Sequence, residues 1–198
     1  MLLDGLESYL SDLASPSPVP GGGAAAAVTL AQGLALFSMV CNLTIGKKKF
    51  SRAEDQLKGI LEQLSHMRAE ALSEAKADMD AFNLVMMAHR MPAETREQQS
   101  TKMAALTKAI REAAEPPFRL MVLATKAMPF SDQLEKIGNP NVRSDVLVGR
   151  HLLVAGFNAS KENVEVNLNS LPSGDPVVRD MTAKVERLTA SFFRAVES

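Results

Sequence analysis

The segment PSPVPGGGAAAAVTLAQGLALFSMVCNLTIG, residues 16–46, decides the fold. No charged residue occurs between Leu13 and Gly46. An apolar run of about 18 residues or more raises the possibility of a membrane span. This run, however, opens with Pro16, Pro18, Pro20 and three glycines. Its helical part carries Thr29, Gln32, Asn42 and Thr44, is dominated by Ala and Gly, and has far less Leu, Ile and Phe than insertion favours. A helix that is apolar all round is also what the central, buried member of a helical bundle looks like. The segment therefore predicts a buried helix over about 22–45, with small residues that let its neighbours approach closely.

Outward from that helix, every long segment reads as helical. Leu2, Leu3, Leu6, Tyr9, Leu10 and Leu13 recur at helical spacing before the Pro/Gly break. After Lys47-Lys48-Lys49, Ser51 is a plausible N-cap for a long helix that ends near Arg90, before Pro92. Thr95 or Ala93 opens the next, running to about Glu115. Pro116 and Pro117 suit the first turn of another, which reaches Met128. A shorter piece spans about 131–137. Gly138-Asn139-Pro140-Asn141 is a loop. Ser144 or Asp145 then caps a helix reaching Asn169. The last helix, about 177–197, presents Met181, Val185, Leu188 and Phe192 on one face. No segment alternates with period two for long enough to form a strand. The expectation is one all-α domain over 1–198, an antiparallel bundle of six to eight helices.

Composition narrows the function. The net charge is -1, with none of the basic footprint of a nucleic-acid binder. Aromatic residues are 5% and Trp is absent, so Ala, Leu and Met fill the core. Cys41 is the single cysteine, which rules out an intrachain disulfide and fits a reducing, cytoplasmic setting. Asp4, Glu7 and Asp12 at the N-terminus are the opposite of a secretory signal. His66, His89 and His151 lack metal-ligand spacing, and there is no nucleophile elbow.

The long helix carries the most informative residue. At about 100° per residue, Leu57, Leu61, Leu64, Ala71, Ala75, Phe82, Val85 and Met86 form one apolar stripe, and Asp78 lies inside it. Asp80 points to the opposite side. A carboxylate on an apolar face is costly unless paired, and burial raises its pKa towards the range useful for general acid–base work. Asp78 serves either chemistry or the satisfaction of a loop or helix end. On the helix after Ser144, Asp145, Leu152, Ala159 and Asn163 share a face, with Asn167 at its edge. An inward Asn either binds the polar edge of a heterocycle or sets helix register. For Ser144 and Asp145, capping is the plain reading. Gly21, Gly22 and Gly23 lead into a helix, where glycines admit close approach and free N–H groups favour anions, although a simple helix-entry loop explains them too. Lys47 and Lys48, with Lys49, form a basic cluster that is either solvated or able to receive carboxylates or phosphates of a ligand.

As an ordered set these motifs resemble the cyclodeaminase/cyclohydrolase family. That family includes the C-terminal half of formiminotransferase-cyclodeaminase and free-standing methenyltetrahydrofolate cyclohydrolases. The matching residues are PSPVPGGG at 16–23, NLTIGKKKF at 42–50, Asp78-Met-Asp-Ala-Phe82, Gly138-Asn139, Ser144-Asp145, Asn163-Val164 and Asn167-Leu168. The resemblance implies an all-helical homodimer and a folate site with no cofactor beyond the tetrahydrofolate substrate. It implies Asp78 as the acid–base group, and Gly21, Gly22, Gly23, Lys47, Lys48, Asn139, Ser144, Asp145 and Asn163 as binding residues. The chain departs from the pattern at Ala24, at Phe157-Asn158 and at Lys161-Glu162; the last two would bear on the shape of the pocket. The implied reaction is hydrolysis of 5,10-methenyltetrahydrofolate to 10-formyltetrahydrofolate. The alternatives are cyclodeamination of 5-formiminotetrahydrofolate, a non-catalytic folate- or protein-binding module, and a membrane-associated module built on residues 24–45.

Overall fold

A computed structural model describes residues 4–197. Among the described residues the chain forms eight α-helices and no strand: α1 (Asp4–Leu13), α2 (Gly22–Asn42), α3 (Glu54–His89), α4 (Arg96–Ala113), α5 (Glu115–Ala127), α6 (Pro129–Ile137), α7 (Arg143–Asn169) and α8 (Pro176–Glu197). Of the leucines expected on the first helix, Leu2 and Leu3 lie outside the described residues, while Leu6 and Leu10 are exposed.

The uncharged segment is the central helix. α2 packs against α3 on one side and α7 on the other. Small residues set the spacing. A methyl group on Gly33 would lie 2.8 Å from the Gly149 carbonyl oxygen, and one on Gly156 would lie 3.1 Å from Leu30 Cδ1. These pairings run in opposite directions along the two helices, so α2 and α7 are antiparallel. Around them Leu30, Leu34, Phe37, Leu57, Leu64, Leu120, Met121 and Leu153 are fully buried in one continuous core. α8 is held by Phe157 and Phe192, whose rings stack with centroids 4.0 Å apart. Arg150 ties its end down by donating to the Val196 carbonyl and, at 3.0 Å, to Asp132.

By length and composition α2 could cross a membrane, and it is the one such helix among the described residues. Yet 61% of its apolar window is buried by the rest of the chain.

Helix starts differ from the expectation in an informative way. Thr95 caps α4 with a reciprocal capping box to Gln98. Ser51 does not cap α3, and neither Ser144 nor Asp145 caps α7. In both places a 3-10 turn, Lys48–Ala53 or Pro140–Val142, leads into the α-helix. Backbone carbonyls of that turn take up N–H groups at the junction: Ser51 O accepts from Glu54, and Pro140 O accepts from Arg143. Capping moves upstream, to the Asn139 side chain, which accepts from the Asn141 N–H at 3.1 Å.

Candidate active site

The antiparallel register places the start of α2 beside the second half of α3 and of α7. A cavity of about 310 Å³ opens there, lined by Gly21, Gly22, Gly23, Asp78, Phe82 and Asn163 among others. Asp78 and Phe82 reach it along the stripe read from the sequence, while Asp80 is exposed. Gly22 and Gly23 matter here for having no side chain. A methyl group on Gly23 would overlap the Asp78 carboxyl group, and one on Gly22 would lie 3.3 Å from Asn163 Oδ1. Asp78 thus lies directly over the backbone at the first turn of α2.

The carboxyl group of Asp78 makes no hydrogen bond or ion pair with the described residues, whereas Asp175 and Glu74 are paired. Asp175 accepts from Arg111 at 2.7 Å, and Glu74 holds Arg119 in a two-pronged pair at 2.8 Å. Burial alone pushes the Asp78 carboxyl above the usual aspartate value, because the charged form has lost water and gained nothing in return. A half-buried acid with a raised pKa, set in a cavity with no partner among the described residues, has the chemistry to exchange protons with a ligand.

The opposite wall is α7. Asn163 Nδ2 donates to the Ala159 carbonyl at 2.8 Å. Asn167 Nδ2 donates to Ala113 O at 2.9 Å and to Asn163 O at 3.0 Å, fastening α7 to the last turn of α4. Ser170 Oγ donates to Val166 O at 2.9 Å.

The remaining sequence candidates are not in this cavity. Lys47 and Lys48 are exposed beyond the far end of α2, roughly 30 Å away at 1.5 Å per residue. Ser144 and Asp145 sit in the first turn of α7, at that same far end. Asn139 is buried there and fully used: its N–H donates to Thr44 Oγ1 at 3.0 Å and its Nδ2 to Leu43 O at 3.3 Å, while Oδ1 caps the 3-10 turn. Within one chain the candidates form two groups, and only Asp78, the three glycines and Asn163 meet.

The departures from the family pattern leave the cavity alone. Phe157 is stacked in the core, and Lys161 pairs with Glu165 at 2.8 Å on a different surface. The sequence reading missed His89 and Ser170, which line the rim, and Ile110 and Ala113, contributed by α4. Periodicity could have found two of them. His89 is eleven residues after Asp78 and Ser170 seven after Asn163, each within about 20° of its partner's direction. Nothing local marks α4, whose contribution depends on tertiary packing. Cys41 is buried, with its thiol pushed up to about 11 by burial, which suits a core residue rather than a nucleophile.

Residues 5–187 match the family described as Formiminotransferase-cyclodeaminase. The chain belongs to that family. A methenyltetrahydrofolate cyclohydrolase from Methylorubrum extorquens is 37% identical over 166 residues, covering 84% of this chain and 80% of that protein. The formimidoyltransferase-cyclodeaminase of Rattus norvegicus is 29% identical over 91% of this chain, which spans only 33% of that longer protein. In three dimensions the fold matches the crystal structure of formiminotetrahydrofolate cyclodeaminase from Thermotoga maritima. The TM-score is 0.85 at 29% identity, covering 97% of this chain and 91% of that one. The all-helical family fold inferred from the ordered motifs is therefore correct.

Proposed function

We propose that this protein is a cytoplasmic tetrahydrofolate one-carbon enzyme that hydrolyses 5,10-methenyltetrahydrofolate to 10-formyltetrahydrofolate, with Asp78 as the proton shuttle. The observation that carries the proposal is the partnerless Asp78 carboxyl group against the glycine turn in the α2–α3–α7 cavity. The cyclohydrolase relative supports the choice of substrate, since this chain covers most of its length at 37% identity.

The chemistry follows from the arrangement. The methenyl carbon is an amidinium cation, and an ionised carboxylate beside it is favoured in a site of low dielectric. As water adds to that carbon, Asp78 accepts one of its protons, leaving a neutral carbinol. Asp78 then returns the proton to N5 while the C–N5 bond breaks. The carbinol hydroxyl loses its proton to solvent as the formyl C=O forms, so one proton is released overall. Small-molecule pockets run from about 300 Å³ upward, so a cavity of about 310 Å³ suits the reacting ring and leaves the glutamate tail outside.

The proposal includes a homodimer. Along α2, Ala25, Thr29, Leu36 and Met39 stay partly exposed, and Gln32 and Leu43 are exposed, forming one mostly apolar stripe. A twofold axis across its middle would set two α2 helices antiparallel, in a self-complementary contact. The Lys47–Lys48 end of each chain would then approach the glycine end of its partner, where the lysines could hold the anionic tail.

The test is a side-by-side assay on the methenyl and formimino folates. Loss of the methenyl chromophore with little ammonia release is the expected outcome; the reverse would make the protein a cyclodeaminase. Asp78→Asn should lower turnover by about 10²-fold or more, the scale of acid–base catalysis, whereas Asp80→Asn should leave it nearly unchanged. Equal effects of the two substitutions would remove Asp78 from the mechanism.

A further inference from the structure

The α7 wall of the cavity has a polarity of its own. Asn167 donates from Nδ2 to two backbone carbonyls, Ala113 O at 2.9 Å and Asn163 O at 3.0 Å. Carbonyl oxygens accept and never donate, so this pair fixes the orientation of the amide and consumes both of its hydrogens. Its remaining polar atom is Oδ1, an acceptor. One turn further on, Ser170 spends its only hydroxyl hydrogen on Val166 O at 2.9 Å and again keeps only lone pairs. Both residues line the cavity. Across from them, Asp78 also offers acceptor oxygens when ionised. A ring edge that meets Asn167 and Ser170 is therefore favoured when it presents N–H groups there, whereas Asn163 beside them spends one amide hydrogen on Ala159 O and keeps the other.

We infer that Asn167 is a specificity-determining residue: its Oδ1 accepts a hydrogen bond from the N–H-bearing edge of the bound heterocycle, with the exocyclic 2-amino group of the reduced pterin as the donor. The inference rests on the folate reading above and goes beyond it by naming the part of the substrate that is read and the atom that reads it. The fastening of α7 to α4 is what makes this possible. With its nitrogen anchored to two helices, Asn167 cannot rotate to present a donor. A ring carrying a carbonyl or an unprotonated nitrogen at that edge would meet two acceptors face to face and lose affinity.

The experiment measures equilibrium binding of 10-formyltetrahydrofolate and of its analogue in which the 2-amino group is replaced by methyl. Wild type, Asn167→Leu and Asn167→Asp are compared, with melting temperatures recorded for all three. Both substitutions lose the bonds to Ala113 and Asn163, but Asp keeps an acceptor oxygen. Wild type should prefer the natural ring by about tenfold or more, as expected for one buried hydrogen bond. Asn167→Leu should erase that preference, and Asn167→Asp should keep most of it at a similarly lowered melting temperature. If Leu and Asp keep the preference equally, or both lose it equally, Asn167 serves only to join the helices and the inference fails. Should Asn167→Leu not fold, loss of the preference in Asn167→Asp overturns the inference and retention supports it. If wild type binds neither compound, the folate reading itself fails; if it binds both equally, the folate reading stands and only this inference falls.

Discussion

The two ends of α2 are built from similar materials and treat polar groups in opposite ways. At the C-terminal end, Thr44 donates to Val40 O at 2.7 Å and accepts from the Asn139 N–H, and Asn139 spends its remaining groups on Leu43 and Asn141. The polar groups of Thr44 and Asn139 thus find protein partners. At the N-terminal end, the Asp78 carboxyl group lies against Gly23 with none among the described residues. Leaving a buried polar group unpaired costs roughly 1–3 kcal/mol, so natural structures do it sparingly. The contrast separates a joint from a site. The saturated end fixes the loop before α7, and the unsaturated end is the one proposed to take the substrate.

Asp78 is where the contrast is easiest to break, and Asp78→Asn carries the largest expected effect. Beyond the loss of turnover, it should raise the melting temperature at neutral pH. In the folded chain the pKa of Asp78 lies above the ordinary 3.8, so stability is lost as the pH climbs from 3.8 through the folded value. Asn never ionises and escapes that loss. The gain should appear in thermal scans at pH 7 and vanish below pH 3.8. The same shift puts the acid limb of kcat/KM above 3.8, falling as pH drops. A limb at or below that value, or a variant less stable than wild type at pH 7, would mean that the carboxylate has a partner after all.

Gly23→Ala ranks next. The added methyl group must displace the carboxyl group, and misplacement of a catalytic group by about 1 Å can cost 10²-fold in rate. Steady-state assay should show kcat falling more than KM rises, with a destabilisation of about 1–3 kcal/mol from overpacking. Full activity would show that Asp78 need not sit where it does.

At the other end the expectation inverts. Asn139→Ala should cost about 1–3 kcal/mol in denaturant unfolding, by removing the side-chain bonds to the Leu43 carbonyl and from the Asn141 N–H, and should leave kcat of the folded protein nearly unchanged. A selective loss of activity would return Asn139 to the ligand. The smallest effect belongs to Lys47→Ala with Lys48→Ala. If a second chain brings these lysines to the site, KM for a glutamate-bearing folate should rise about two- to fivefold, the scale of exposed ion pairs, and the rise should shrink in high salt. Light scattering on the same samples should give the mass of two chains; a monomer of normal KM would defeat the dimer proposal.

How much of this was legible follows from the same two ends. The absence of charge between Leu13 and Gly46 marked α2 as central, and the roughly 200° between Asp78 and Asp80 separated the inward acid from the outward one. Both are local properties of one helix. What the sequence could not give was the antiparallel register, which puts Asn163 beside Gly22 and sends Ser144 and Asp145 to the far end. Motif order along the chain does not say at which end of a helix a residue sits. Ser51, Ser144 and Asp145 carried the right chemistry for caps, but the 3-10 turns ahead of α3 and α7 had already supplied the carbonyls. His89 and Ser170 share the helical faces of Asp78 and Asn163, so the same periodicity reaches them.

The overlap between a side chain at position 23 and the acid at position 78 also constrains inheritance. A lineage that keeps Asp78 in this place cannot accept even the smallest side chain at Gly23, whereas one that has lost the acid is free to fill the gap. Glycine can be regained by one change and the acid by another, but neither alone restores the arrangement. Substitution at Gly23 therefore acts as a ratchet, and the residue found there tells, before any assay, whether a descendant of this fold can still hold the proposed proton shuttle in place.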